Sequence, residues 1–344
     1  MFAPSEFCDV NGDYYGADKQ MHHEKGFKNY TTFSLWDTYR AAQPLMTILQ
    51  PERMSDIINT MLHIYQQQGK LPVWHLMGCE TNCMVGNPGV PVVADAILKD
   101  IKGFDSGLAF KALKESSMLP ERGMEYRIQY GFIPADKMTE AIAYDMEYAI
   151  ADWAVAQAAR RLGKQEDYTY FLERSKSYKK YFDASTGFMR GKLSDGSWRT
   201  PFSPYASAHR DDDYCEGNAW QYTWLVPQDV EGLVACFGSK DAFVHKLDSL
   251  FLASGDMGEA SSPDISGLIG QYAHGNEPSH HITYLYTLVG QPWKTAERVK
   301  EILHTMYTDQ PDGLSGNEDV GQMSAWYILS SLSLIHISEP TRPY

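Results

Sequence analysis

The apolar positions along this chain recur at helical spacing. Between Thr139 and Gly163, the residues Ile142, Met146, Ala149, Trp153 and Ala156 follow one another at steps of three to four, which places them on one face of an α-helix. Thr139 is positioned to cap that helix, and Arg160, Arg161 and Gly163 close its last turn, where cations and a left-handed residue are favoured. The same periodicity predicts helices near residues 35 to 49, 52 to 68, 90 to 102, 106 to 116, 166 to 182, 218 to 226, 228 to 237, 240 to 254, 280 to 289, 293 to 307 and 321 to 331. Gly, Pro and Asp punctuate them, as at Gln50-Pro51-Glu52, Leu162-Gly163 and Gly290-Gln291-Pro292. One stretch departs from the period: Thr186 to Gly191 followed by Asp195 to Trp198 predicts a small β-hairpin inserted between helices.

About twelve helices in short-linked pairs predict an all-α fold, either a closed ring of six helical hairpins, the (α/α)6 barrel, or an open solenoid. A solenoid repeats at a fixed period of roughly 34 to 47 residues. The chain has no such repeat, and its long irregular loops favour the barrel. In a barrel, loops at one end converge on a concave site.

Three of those loops share a pattern, a glutamate in a Gly/Asn turn that runs into an aromatic-rich helix. They are Cys215-Glu216-Gly217-Asn218-Ala219-Trp220, Gly275-Asn276-Glu277-Pro278-Ser279-His280-His281 and Gly316-Asn317-Glu318-Asp319-Val320-Gly321-Gln322. Taken singly, each is a capped helix start, where acidic residues complement the macrodipole. Delivered to one place, they supply a general acid, a general base and hard oxygen ligands for a cation. Trp220, Tyr222 and Trp224 beside Glu216 predict a raised pKa for that carboxyl. Asn276 and Glu277 offer two oxygen donors on adjacent residues, as a calcium site needs. His280 and His281 diverge by about 100° on a helix, so packing or substrate hydrogen bonding suits them better than a shared zinc ion. Upstream, Trp36-Asp37 sets an aromatic ring beside a carboxylate, and Trp74 to Asn82, with Glu80, adds polar groups before a turn.

Composition narrows the partner. The 344 residues carry a formal net charge of −14, which argues against nucleic acid and anionic membranes. Aromatic residues make up 13% of the chain, with 22 Tyr and 8 Trp, which suits stacking on sugar rings as well as filling a helical core. The five cysteines, Cys8, Cys79, Cys83, Cys215 and Cys236, lack a paired zinc pattern and leave the redox compartment open. No apolar run is long enough to span a membrane. The start, Met1-Phe2-Ala3-Pro4-Ser5, reads as the interior of a domain, with no signal sequence.

In this order, the Trp36-Asp37 segment, Glu-Gly-Asn-Ala-Trp-Gln-Tyr, Gly-Asn-Glu-Pro-Ser-His-His and Gly-Asn-Glu-Asp-x-Gly-Gln-Met-Ser-Ala-Trp-Tyr closely resemble glycoside hydrolase family 92, bacterial exo-acting α-mannosidases, from about Ala3 to Ser330. The resemblance implies calcium-dependent, inverting removal of terminal α-mannose from N-glycans or yeast-type mannan, in the periplasm or outside the cell. It implies an N-terminal β-sandwich followed by an (α/α)6 catalytic domain, of which residues 1–331 are an incomplete part without the sandwich. By motif, Glu216 matches the general acid and Asp319 the general base, and Asn276 and Glu277 match the calcium segment. Trp36, Asp37, Glu80, Trp220 and His280 are the candidate substrate-binding residues. Some members have aspartate where this chain has Asn317, so the anionic base here falls to Asp319. Another inverting glycosidase or a polysaccharide lyase on the same barrel, and a noncatalytic glycan-binding helical domain, are the competing readings. From Leu332 to Tyr344 the sequence resembles a translated sequencing adapter, so His336 is not expected to be a ligand.

Overall fold

The stripe read between Thr139 and Gly163 becomes the Ala141–Arg161 helix, the longest in a computed structural model that describes residues 3–332. Its side chains are buried almost all the way round, because it packs against both the Gly89–Leu98 and the Gln165–Arg174 helices. Its start differs from the expectation. Thr139 does not cap it; Glu140 holds the cap position in the left-handed region (φ +54°) with no side-chain bond. The open N–H groups go across the fold instead, from Glu140 to the Asp212 carbonyl (2.6 Å) and from Ile142 to the Asp213 carbonyl (3.0 Å). The loop that carries Glu216 is thereby tied to the central helix.

Helices follow in the predicted order, with instructive exceptions. Residues 35 to 49 form two helices, Leu35–Thr38 and Ala42–Leu49, rather than one. The helix expected at 218 to 226 is the single turn Ala219–Tyr222, and 280 to 289 holds a 3-10 turn at Ile282–Tyr284 that runs into Leu285–Leu288. Met124–Tyr130 is helical although periodicity did not mark it; at 7 residues it is too short to show a stripe. The expected hairpin is present in reduced form, with Leu193 N–H on the Ser197 carbonyl (2.8 Å) and Arg199 N–H on the Gly191 carbonyl (2.7 Å), and its first arm also takes a second partner. Phe188–Met189 pairs backwards with Phe182–Asp183, and Lys192 with Trp198 makes one isolated bridge.

Strands are short among the described residues, and the largest sheet has three: Phe33–Ser34, Trp74–Leu76 and Cys79–Glu80, all antiparallel. Its value is positional, since Ser34 leads directly into the Leu35–Thr38 turn that carries Asp37. The main apolar core gathers Trp36, Tyr222, Trp224, Tyr272, Tyr286 and Trp326, so residues on either side of every acidic turn are anchored in one packed body. No helix among the described residues is long and apolar enough to cross a membrane. The expectation for residues 332 to 344 falls, beyond Leu332 itself, outside the described residues.

Beneath the central helix lies a buried ion cluster. Arg127 donates to Asp145 (2.8 Å) and to Asp152, which also accepts from Arg174 (3.0 Å), and Ser177 and Tyr181 complete the Asp145 carboxylate. Removing the guanidinium leaves Asp145 buried without a cation and Asp152 with Arg174 alone. Arg127→Leu is therefore expected to cost about 3–5 kcal/mol in a urea denaturation series, while loss of an exposed pair such as Lys28–Glu6 is expected to leave the midpoint unchanged.

Candidate active site

Four chain segments meet at one acidic patch. Asp37 comes from the Leu35–Thr38 turn, where the Ser34 hydroxyl donates to its carboxylate. Glu277 opens a 3-10 turn, and its own N–H donates to the Asn276 side-chain oxygen (3.0 Å). Asp319 lies three residues before the first residue of the Gln322–Ser331 helix. One carboxylate oxygen from each of Asp37, Glu277 and Asp319 lies within 4.8 Å of the others. Glu216 stands outside this trio and faces it from the fourth segment, close enough for Asp37 and Asp319 to act on its charge.

Burial and mutual repulsion set the proton affinities. Removal from water raises Glu216 to about 8, and the charges of Asp264, Asp37, Asp319 and Glu140 push in the same direction. Burial raises Asp37 to about 7, with Asp319 adding to it and the Ser34 hydroxyl and Arg40 opposing. Glu277 is driven well above the usual carboxylate range, first by burial and then by the neighbouring carboxylates of Asp37 and Asp319. Asp319 is raised by burial as well, but the Glu277 hydrogen bond works to keep it ionised. The raised value expected for Glu216 is thus found, with burial as its first cause. Trp220 turns its ring to Phe188, with ring centroids 4.8 Å apart.

The backbone at these residues is unusual. Glu216 (φ +50°), Asp319 (φ +52°) and Val320 (φ +58°) all occupy the left-handed region, at a cost of about 1–2 kcal/mol each. Rigid flanks hold them there. Asn218 and Gln221 form a reciprocal capping box, Tyr222 donates to the Cys215 carbonyl (2.6 Å), and the Asn276 amide donates to the Glu216 carbonyl. In the third turn, Glu318 accepts from the Gly321 N–H (2.6 Å) and the Ser324 hydroxyl (2.7 Å), so it serves as the helix cap and leaves its neighbour Asp319 facing the cluster. Gly316 makes the close approach possible, because a Cβ there would sit 2.5 Å from the Gly275 carbonyl oxygen.

Several predicted site residues have other jobs. Glu80 accepts from the N–H groups of Val73, Trp74 and Asn82, which staples its own hairpin and keeps it out of the acidic trio. His280 is fully engaged in protein bonds, with Nε2 against the His274 carbonyl (3.0 Å) and Nδ1 against the Gln322 amide (3.0 Å), so neither nitrogen is left for a sugar. His281 bonds the Trp224 carbonyl (2.6 Å). Asn276 spends its amide on the Glu216 carbonyl and the Glu277 N–H, which makes it a clamp between turns. Trp36 is fully buried beneath the Arg40 guanidinium, 5.0 Å from its ring.

Other contributors carried little sequence signal. Asp264 sits in an irregular loop with no helix start to mark it. The Arg40–Glu147 ion pair (2.6 Å), which also takes the Tyr39 hydroxyl (2.9 Å), was partly readable, since Glu147 interrupts the buried face of the central helix and a buried charge needs a partner. The trio also fits a hard cation. Glu277 Oε1 is buried with no hydrogen-bond partner, and clustered carboxylate oxygens are the donor set that calcium takes.

Comparison with known proteins places this geometry in context. A sequence profile described as the glycosyl hydrolase family 92 catalytic domain matches residues 1–341, running past the point at 332 where the sequence was expected to leave the family. Among solved structures, a family GH92 alpha-mannosidase from Bacteroides thetaiotaomicron, in complex with mannoimidazole, is 43% identical with a TM-score of 0.92, covering 95% of this chain and 44% of that one. A GH92 inverting mannosidase from the same organism is 32% identical with a TM-score of 0.83, over 95% and 46%. A curated relative, an uncharacterized secreted glycosidase of Arthroderma benhamiae, is 25% identical over 333 residues, 86% of this chain and 41% of that protein. The chain spans less than half the length of each.

The raised carboxyls predict a pH signature. Each binds its proton more tightly folded than unfolded, so its stabilising share is full below the ordinary carboxylate value and is lost as pH rises through about 7 for Asp37 and about 8 for Glu216. The buried histidines, neutral in the fold but titrating near 6.5 in the unfolded chain, oppose this fall, and they do so equally in wild type and carboxyl variants. In EGTA, wild-type stability measured by urea unfolding is expected to fall relative to that of Asp37→Asn by about 1 kcal/mol between about pH 6.5 and 8.

Proposed function

The chain belongs to glycosyl hydrolase family 92, and from that premise we propose that it is the (α/α)6 catalytic part of an exo-acting, inverting α-mannosidase that works with calcium. The observation that carries this reading is the separation of one protonated carboxyl, Glu216, from an acidic trio that contains a second, ionisable one, Asp319. Residues 1–331 form the catalytic part, with a β-sandwich and the rest of the protein beyond this chain. The substrates are mannose-containing glycans, N-glycans or yeast-type mannan. The secreted relative supports a periplasmic or extracellular setting.

In this reading Glu216, protonated at neutral pH, donates its proton to the leaving glycosidic oxygen. Asp319 takes a proton from the water that attacks the opposite face of the sugar. Inversion of this kind needs the two carboxyls roughly 6.5–9.5 Å apart, with room for that water. Glu277, flanked by Asp37 and Asp319, is the residue that would hold the cation, with the unpartnered Glu277 oxygen first among its ligands. When bound, calcium supplies positive charge to the patch and oxygen coordination for the hydroxyls of a sugar ring. Asn276 keeps the acid and the cation residue in register through its two bonds.

The test is mannose release from a terminal α-mannoside by the intact protein, with the first-formed anomer read by NMR. The β anomer is expected. Glu216→Gln and Asp319→Asn are each expected to lower kcat by about 10²–10⁴-fold, and EGTA to abolish turnover until calcium is restored. Turnover that survives both EGTA and Glu216→Gln would overturn the reading.

A further inference from the structure

We propose that Gln322 is the positioning residue of the acidic site, a neutral three-way junction that fixes how far Asp37, Glu277 and Asp319 stand from one another. The inference rests on the reading of that trio as a cation site. Three carboxylates in a buried patch repel, and something uncharged has to hold their backbones together.

Gln322 is fully buried, and each of its polar groups reaches a different carboxylate-bearing segment. Its backbone N–H donates to the Asp319 carbonyl (3.1 Å). Its side-chain oxygen accepts from Ala41 (3.0 Å) and Ala42 (3.1 Å), the two N–H groups left open where the helix expected at 35 to 49 breaks just after Asp37. Its side-chain nitrogen meets His280 Nδ1 (3.0 Å), and the His280 N–H in turn donates to the Glu277 carbonyl (3.0 Å). One residue therefore bonds, directly or through one histidine, to all three segments.

The chemistry of the junction is determinate. Gln322 can offer only a donor to His280, because its oxygen is occupied by two amides, so Nδ1 must be the acceptor. His280 Nε2 then carries the hydrogen and donates it to the His274 carbonyl. His274 is locked in turn between the hydroxyls of Tyr272 (2.9 Å) and Tyr307 (2.8 Å). Arg40, His280 and Gln322 border a cavity of about 440 Å³ that none of the three carboxylates lines, so the junction stands behind the acidic trio. Partners of this kind, one step behind the ligands, typically account for 10- to 100-fold in metal affinity.

The test uses the intact protein. By calorimetry, Gln322→Met, similar in length but without polar atoms, is expected to weaken calcium binding about 10- to 100-fold while remaining folded by near-UV circular dichroism. Gln322→Asn keeps both polar groups, uncharged, on a side chain one methylene shorter, so its loss is expected to be smaller than that of Gln322→Met; it also carries the test if Gln322→Met does not fold. A folded Gln322→Met with wild-type calcium affinity, when Glu277→Gln has lost it, overturns the proposal. If wild type and Glu277→Gln bind calcium alike, the cation reading has failed, and the junction is judged by a calcium-free measurement. Spectra of ¹⁵N-labelled histidine are expected to show His280 neutral with its hydrogen on Nε2, and a changed Nδ1 resonance in both Gln322 variants. A hydrogen on Nδ1 in the wild type, or unchanged Nδ1 resonances in the variants, overturns the proposal.

Discussion

The structure turns on the repulsion between carboxylates that the fold brings together out of water. At an effective dielectric constant of about 20, two unit charges 4 Å apart oppose each other by about 4 kcal/mol, and Asp37, Glu277 and Asp319 form three such pairs. An arrangement of that kind persists only if protons or a cation reduce the charge and if the chain segments are held by something else. Glu277 shows the first solution, since burial and its acidic neighbours raise its proton affinity well above the usual carboxylate range. The second solution is a frame of uncharged donors and acceptors: Ser34 on Asp37, Asn276 between Glu216 and Glu277, and Gln322 across the remaining gaps. Arg40, a cation that acts on both Asp37 and Glu277, does not neutralise the trio, because it is paired with Glu147 and stacked on Trp36.

The same constraint accounts for the strained backbone. A carboxylate on a regular helix points along the helix surface, whereas a residue in the left-handed region redirects its side chain within one step of the chain. Glu216 and Asp319 both use that device, and Val320 continues it although a β-branched side chain suits it poorly. The cost is met by caps that do not touch the site, the Asn218–Gln221 box in one turn and Glu318 in the other. Acidic residues next to each other in the third turn therefore divide the work. Glu318 satisfies the open N–H groups of its helix, so Asp319 can face the cluster.

The sequence made the helices and the acidic turns legible, and much less of what joins them. The Ala141–Arg161 helix was readable because a long buried element repeats its apolar stripe many times. Its start was not, because the groups that satisfy it, the Asp212 and Asp213 carbonyls, lie some 70 residues away and belong to no local motif. The break at Tyr39 to Ala41 was hidden for the same reason, since the Gln322 oxygen that takes its free N–H groups is remote in sequence. Glu216, Glu277 and Asp319 were visible as turn residues of a recognisable kind. Glu80 and His280 carried the same polar signal yet serve the frame, and only their bonding partners distinguish a residue that faces a substrate from one that holds a loop.

The order of causes on each carboxyl also keeps the two proposed chemical roles apart. For Glu216 burial is the first cause of the raised pKa, and the charges of Asp264, Asp37 and Asp319 come after it. A divalent ion at the trio would offset the contributions of Asp37 and Asp319, but it would leave the burial of Glu216 untouched. The same ion would act directly on Asp319 and Glu277, favouring the deprotonated form of each. A cation at the trio would therefore favour the ionised form of the residue proposed as base, while burial would still favour the protonated form of the residue proposed as acid. Asn276, which bonds the Glu216 carbonyl and the Glu277 N–H, would hold these two environments side by side in one patch.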